Sequence, residues 1–223
     1  MTLAACIDHT LLRPDATEAE IVQLCNEAAA YGFASVCVPP CYVALAATEL
    51  ADTSVAVCTV VGFPLGYASS NVKFKEAEVA LYDGATELDM VLNISALKSG
   101  RVEAVQAEIL DLADLCHVHQ SLLKVIIETA LLTEAEIELA CELCVGGEAD
   151  FVKTSTGFAS RGASVADVEL MRRVLPAAVR IKAAGGIRTR AAALALVAAG
   201  ADRIGSSNSM AMIAENDEPT AAQ

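Results

Sequence analysis

The chain has 223 residues, enough for one large domain with a substantial core or for two small ones. Hydrophobic residues make up 55% and aromatic residues 4%, with no tryptophan, so the core has to be built from Ala, Val, Leu and Ile. A formal net charge of -14 excludes a broad basic face for nucleic acid, and any anionic ligand has to be held in a local pocket.

The opening MTLAACIDHTLL carries Asp8 and His9 within its apolar run and has no basic leader, which makes a poor signal peptide. No stretch approaches the ~18 uninterrupted apolar residues of a membrane span. A soluble, cytoplasmic protein is therefore expected, with no membrane or nucleic-acid partner.

Two periodicities then alternate. Short segments rich in Val, Ile and Leu recur in order as CIDHT, SVCV, VAVCTVV, ELDMVLN, LLKVIIET, DFVKTS, VRIKAA and DRIGSS, and each reads as a strand. Between them lie amphipathic helices, with stripes at Ile21, Leu24, Cys25 and Ala28, at Val102, Val105, Ile109 and Leu112, and at Ile137, Ala140, Cys141 and Cys144. Thr17 with Glu20 and Thr133 with Glu136 have capping-box spacing. Gly32, Gly84, Gly147 and Gly200 stand shortly before strands, where left-handed helix caps belong. Eight strand-helix units predict a single (β/α)8 TIM barrel over residues 1–214, with 215–223 as an acidic, disordered tail. A doubly wound sheet is the rival, but G-x-G-x-x-G is absent after the first strand.

Of the eight cysteines, Cys25, Cys141 and Cys144 fall on helix stripes, and Cys37 and Cys58 fall in strands. Reduced, mostly buried thiols are expected, because C-x-x-C at 141–144 has no second ligand pair at zinc-finger distance. Neither a metal nor another cofactor is expected.

Side chains alternate along a strand, so the apolar set packs on helices and the other set faces the barrel interior. That parity points Glu87, Asp89, Lys124, Glu128, Lys153 and Lys182 inward. Active sites of this fold lie at the carboxyl ends of the strands. Asp89, Glu128, Lys153 and Lys182 sit mid-strand or later, whereas Glu87, Lys124 and Arg180 suit a lower ionic layer. A lysine amine attacks carbonyls only when unprotonated, and burial beside a second cation favours that form. Lys153 and Lys182 suit that pairing, with Asp89 placed to move protons, and parity alone leaves open which lysine is the nucleophile. Gly157, Gly185, Gly186, Ser206 and Ser207 follow strands six to eight and suit a phosphate held by amides, hydroxyls and a helix start.

IDHTLL, GFPLG, ELDMVLN, LKVIIET, FVKTSTGF, IKAAGGIRT and GADRIGSS run in order from residue 7 to residue 207 and resemble the signature segments of the deoxyribose-phosphate aldolase family of class I aldolases. The resemblance implies cofactor-free, reversible cleavage of 2-deoxy-D-ribose 5-phosphate to D-glyceraldehyde 3-phosphate and acetaldehyde. It makes Lys153 the Schiff-base lysine and Lys182 and Asp89 the proton-transfer groups. It also assigns Gly157, Gly185, Gly186, Ser206 and Ser207 to the phosphate, and brings Asp8, Thr10 and Cys37 near the substrate pocket. The GFPLG loop is expected to be structural. A phosphosugar substrate and a homo-oligomer, a dimer, are the expected partners.

Overall fold

The computed structural model describes residues 2–214, so the expected tail at 215–223 lies outside the described residues. Its elements follow in order as β1 (Ile7–Thr10), α1 (Glu18–Tyr31), β2 (Ser35–Val38), α2 (Val43–Glu49), β3 (Ala56–Val61), α3 (Ser70–Tyr82), β4 (Glu87–Val91), α4 (Ile94–Lys98), α5 (Val102–Val118), β5 (Leu122–Ile126), α6 (Glu134–Gly146), β6 (Phe151–Lys153), α7 (Val165–Val174), β7 (Arg180–Ala184), α8 (Arg190–Ala198), β8 (Arg203–Ser206) and α9 (Ser209–Ala214). All eight strands are parallel, and the pairing of Ile7 with Ile204 closes β8 onto β1 as a barrel.

Strand parity separates two interiors. Leu88, Met90, Leu123, Val125, Val152, Ile181 and Ile204 turn outward and pack with helix residues such as Ile109, Leu112, Cys141 and Met171 in one continuous core. Cys37, Cys58 and Val60 belong to a second, smaller cluster within the barrel, capped by Leu12 and Phe63. Other inward positions carry charge, with Asp8, Asp89, Lys124 and Lys182 fully buried.

Local signals set the helix ends. The Glu20 and Glu136 carboxylates accept the Thr17 and Thr133 backbone N–H groups at 2.9 and 2.8 Å, closing both capping boxes. Gly32, Gly84 and Gly200 take positive φ, as a helix-ending glycine should. Gly147 does not: its φ is -97°, and the left-handed turn falls on Glu148 at φ 58°. Glycine is needed at 147 for space, since a Cβ there would sit 2.6 Å from Ile109 Cγ2.

Candidate active site

Asp89, central in β4, organises the barrel interior. Its Oδ2 accepts from both Lys153 Nζ and Lys182 Nζ at 2.7 Å, and its Oδ1 accepts from Lys124 Nζ at 2.8 Å. Lys153 and Lys182 are brought together by register, as direct neighbours across β6 and β7. Lys182 also meets Asp8 Oδ2 at 2.5 Å, and Lys124 meets Glu87 Oε2 at 2.7 Å. Arg203 from β8 completes the set by donating to Asp8 and Glu87. Gly205 leaves room for this packing, because a Cβ there would lie 3.2 Å from Lys182 Cε.

The energetics of this cluster favour ions. An opposite-charge pair at 2.7 Å attracts by about 6 kcal/mol at an effective dielectric near 20, comparable with the several kcal/mol each ion loses on desolvation. Lys182 has two carboxylates, so its pKa is raised above the ordinary lysine value although burial pushes the other way. Burial would lift the Asp89 pKa, but Lys124, Lys153 and Lys182 hold it well below the usual carboxylate range. Lys182 is therefore a standing ammonium and Asp89 a standing carboxylate. Counting all groups as charged, Lys124, Lys153, Lys182 and Arg203 face Asp8, Glu87 and Asp89, an excess of one positive charge. Lys153 can turn from Asp89 to a ligand without leaving any of these carboxylates unpaired, because Asp89 keeps two other cations.

Access singles out the same lysine. A cleft of about 370 Å³ opens at the carboxyl ends of the strands, and of the three interior lysines Lys153 alone lines it. Lys153 retains 3% exposure, against 0% for Lys124 and Lys182. Gly157, Gly185, Gly186, Ser206 and Ser207 line the same cleft, as does Thr10. The glycine loops interlock without side chains, since a Cβ on Gly162 would lie 2.0 Å from Gly185 O. Gly157 and Gly185 need glycine as well, with φ of 88° and 90°.

Several expected placements change. Asp8 and Cys37 do not line the cleft: Asp8 lies beneath it as the partner of Lys182 and Arg203, and Cys37 lies beside Cys58. Glu128 falls just past β5 at φ 55° and binds Thr156, through its backbone N–H at 3.2 Å and its hydroxyl, so it ties two strand ends together outside the lysine cluster. Arg180 lies over the Phe151 ring, 3.9 Å from its centroid, and Arg203 takes the ionic place expected of it. Lys124 is no separate lower layer, because it bonds Glu87 below and Asp89 above. The GFPLG loop contributes Phe63, which covers Cys37 and Cys58 and meets Phe158 edge-on at 5.2 Å.

Sequence reasoning missed Leu12, Arg13, Thr156 and Arg188, which also line the cleft. Arg13 and Arg188 were legible as cations directly beyond the first and seventh strands. Cys37, Cys58 and Asp89 bring ligand-type atoms within 4.8 Å of one another, a grouping invisible in spacing along the chain. Asp89 already accepts from three ammonium groups, so a metal cation there would meet strong repulsion.

Comparison with known proteins points one way. Residues 2–211 match the family model described as DeoC/LacD family aldolase. A protein of Enterococcus faecalis named deoxyribose-phosphate aldolase is 51% identical over 213 residues, covering 96% of each chain. Deoxyribose-phosphate aldolase 1 of Bacillus licheniformis is also 51% identical, over 95% of this chain and 94% of its own. The solved tetrameric deoxyribose phosphate aldolase of Aeropyrum pernix superposes with a TM-score of 0.90 at 36% identity, over 96% of this chain and 91% of that one. With its barrel, its lysine pair and a match spanning nearly every described residue, this chain belongs to the DeoC/LacD family of aldolases.

Proposed function

We propose that the protein is a deoxyribose-phosphate aldolase, a lyase that reversibly cleaves 2-deoxy-D-ribose 5-phosphate to D-glyceraldehyde 3-phosphate and acetaldehyde through a Schiff base on Lys153. One observation carries the assignment of the nucleophile: Lys153 alone among the interior lysines opens on the cleft, while sharing Asp89 Oδ2 with the standing ammonium of Lys182.

Neutral Lys153 attacks the open-chain aldehyde, and loss of water gives the iminium. Lys182 supplies the proton for that departure. The substrate's C3 hydroxyl then gives its proton, through water, to the Lys182 amine left by that step, and the C2–C3 bond breaks with the iminium as electron sink. Three ammonium partners make Asp89 a weak base, so its part is to relay protons between the two lysines bound to Oδ2. Glyceraldehyde 3-phosphate leaves first, and the enamine is protonated and hydrolysed to acetaldehyde. Gly157, Gly185, Gly186, Ser206 and Ser207 take the phosphate, aided by Arg188, and Thr10 stands over the sugar.

Borohydride added with deoxyribose 5-phosphate should place a reduced adduct on Lys153 alone, and active protein without that adduct would sink the mechanism. Release of pyruvate or dihydroxyacetone phosphate in place of acetaldehyde would move the chain to another aldolase specificity. The same reading expects a cytoplasmic enzyme and a homo-oligomer, a dimer. Val72, Val79 and Tyr82 support association, since all three are large apolar side chains left exposed on α3. Sedimentation of the full chain checks it.

A further inference from the structure

Cys37 and Cys58 play no part in the aldol steps, yet they are paired by construction. They are direct register partners on β2 and β3, and both side chains face the barrel interior. Neighbouring strands lie about 4.8 Å apart, within the range of about 4.4–6.8 Å between Cα atoms that a disulfide spans. Cys37 Sγ, Cys58 Sγ and an Asp89 carboxylate oxygen all lie within 4.8 Å of one another. The Cys58 thiol donates to Asp89 Oδ1 at 3.1 Å, and Lys124 Nζ donates to Cys58 Sγ at 3.2 Å. The dithiol is thus hydrogen-bonded to the carboxylate that holds both upper lysines.

Access to the pair is closed in the resting fold and lies nearest through the cleft. Both thiols have 0% exposure, but Cys37 is the register neighbour of Thr10, which lines the cleft. Leu12 and Phe63 pack over the sulfurs, and Leu12 also lines the cleft. Oxidation therefore requires this cover to move aside, and substrate bound in the cleft, which Leu12 lines, would oppose that movement.

We propose that Cys37 and Cys58 form a peroxide-oxidisable dithiol whose disulfide form disables the Asp89 centre. The Cys37 thiolate attacks one peroxide oxygen, the O–O bond breaks and hydroxide leaves, giving a sulfenic acid. Cys58 sulfur attacks that sulfur, the S–O bond breaks, and the departing hydroxide takes the Cys58 proton as water. Two thiols and one hydrogen peroxide become one disulfide and two waters. The two sulfurs have suitable roles, because Cys58 is kept as the thiol by burial and by its own bond to Asp89 Oδ1, whereas the Cys37 pKa is lowered by the neighbouring Cys58 sulfur. Oxidation removes the thiol proton that Asp89 Oδ1 accepts and draws Cys58 sulfur towards Cys37, which loosens the carboxylate beneath the lysines. A dithiol reductant reopens such a bond by thiol–disulfide exchange, so the change is reversible.

The test treats the full chain carrying Cys41→Ser, which removes the exposed cysteine beyond β2, with hydrogen peroxide, then catalase. Non-reducing peptide mapping should find Cys37 joined to Cys58. Retro-aldol turnover should fall by more than about tenfold and return with dithiothreitol, and deoxyribose 5-phosphate should slow the loss. Cys58→Ala, or Cys58→Val if alanine impairs folding, each scored against its own reduced activity, should lose the reversible component. Sulfinic acid at Cys37 without the bond, the bond without loss of turnover, or equal reversible loss in the Cys58 variants overturns the proposal. Only the turnover readout rests on the aldolase reading: reduced protein with no turnover counts against that reading, whereas a missing bond counts against the dithiol.

Discussion

Two lysines buried in this molecule have opposite designs. Lys73 on α3 lies outside the barrel, in a closed pair with Glu108 at 2.7 Å and a hydrogen bond to Val91 O at 2.8 Å. Burial lowers its pKa and Glu108 works against that shift. Lys153 sits in a cluster with one more cation than carboxylates and opens on a cleft. Burial of an ammonium is common to both sites; surplus charge and access to a ligand belong to one. The contrast separates a lysine that holds helices to strands from a lysine placed to meet a substrate carbonyl.

Lys153→Met should break the contrast most severely. Turnover should drop by at least ~10⁴-fold with the melting temperature little lowered, read by acetaldehyde release and circular dichroism. Asp89→Asn should reduce kcat by roughly 10²–10⁴-fold and destabilise the fold as well, because Lys124, Lys153 and Lys182 all lose a carboxylate. Lys73→Met should cost about 3–5 kcal/mol in urea unfolding while the folded fraction keeps its kcat, and Lys73→Met with Glu108→Leu should recover much of that loss. Thr189→Ala, which removes the N-cap hydroxyl that accepts from Ala192 at 3.2 Å, should cost only about 1 kcal/mol and leave kcat unchanged.

Acid titration sharpens the same comparison. Asp8 and Asp89 have pKa values lowered by the cations around them. The stability they supply is present above the unfolded aspartate value near 4 and is lost as pH falls towards the depressed folded values. Lys182 is raised, so its contribution is present below the unfolded lysine value near 10.4 and is lost as pH rises through its folded value. Urea unfolding across pH should therefore show a neutral plateau with loss on both sides, and Asp89→Asn should flatten the acid limb.

Much of this architecture was legible because its signals are local. Strand parity needs only neighbours two residues apart, and it turned Asp89, Lys124, Lys153 and Lys182 inward correctly. Capping boxes need four consecutive residues, and both formed. Failures came where partners are chosen by closure and stagger of strands. Arg180 and Arg203 both follow helices at strand starts, yet only Arg203 meets Glu87, because β8 docks on β1 and lies across from Asp8. Glu128 kept the parity of Lys124 but sits beyond the last ladder residue, where a left-handed turn redirects it to Thr156. Cys58 reads as an ordinary strand residue until the barrel brings Asp89 beside it.

Closure has a further consequence for how the molecule is made. Asp8 leaves the ribosome long before its partner Arg203, which follows 195 residues later. Until β8 docks, the carboxylates of β1 and β4 lack part of their countercharge, so water has to remain between the strands. Expulsion of that water is a late event, coupled to arrival of the last strand. A barrel whose central charges lie so far apart in sequence folds slowly for its size, and nascent chains stalled before residue 203 expose an unfinished polar interior to chaperones.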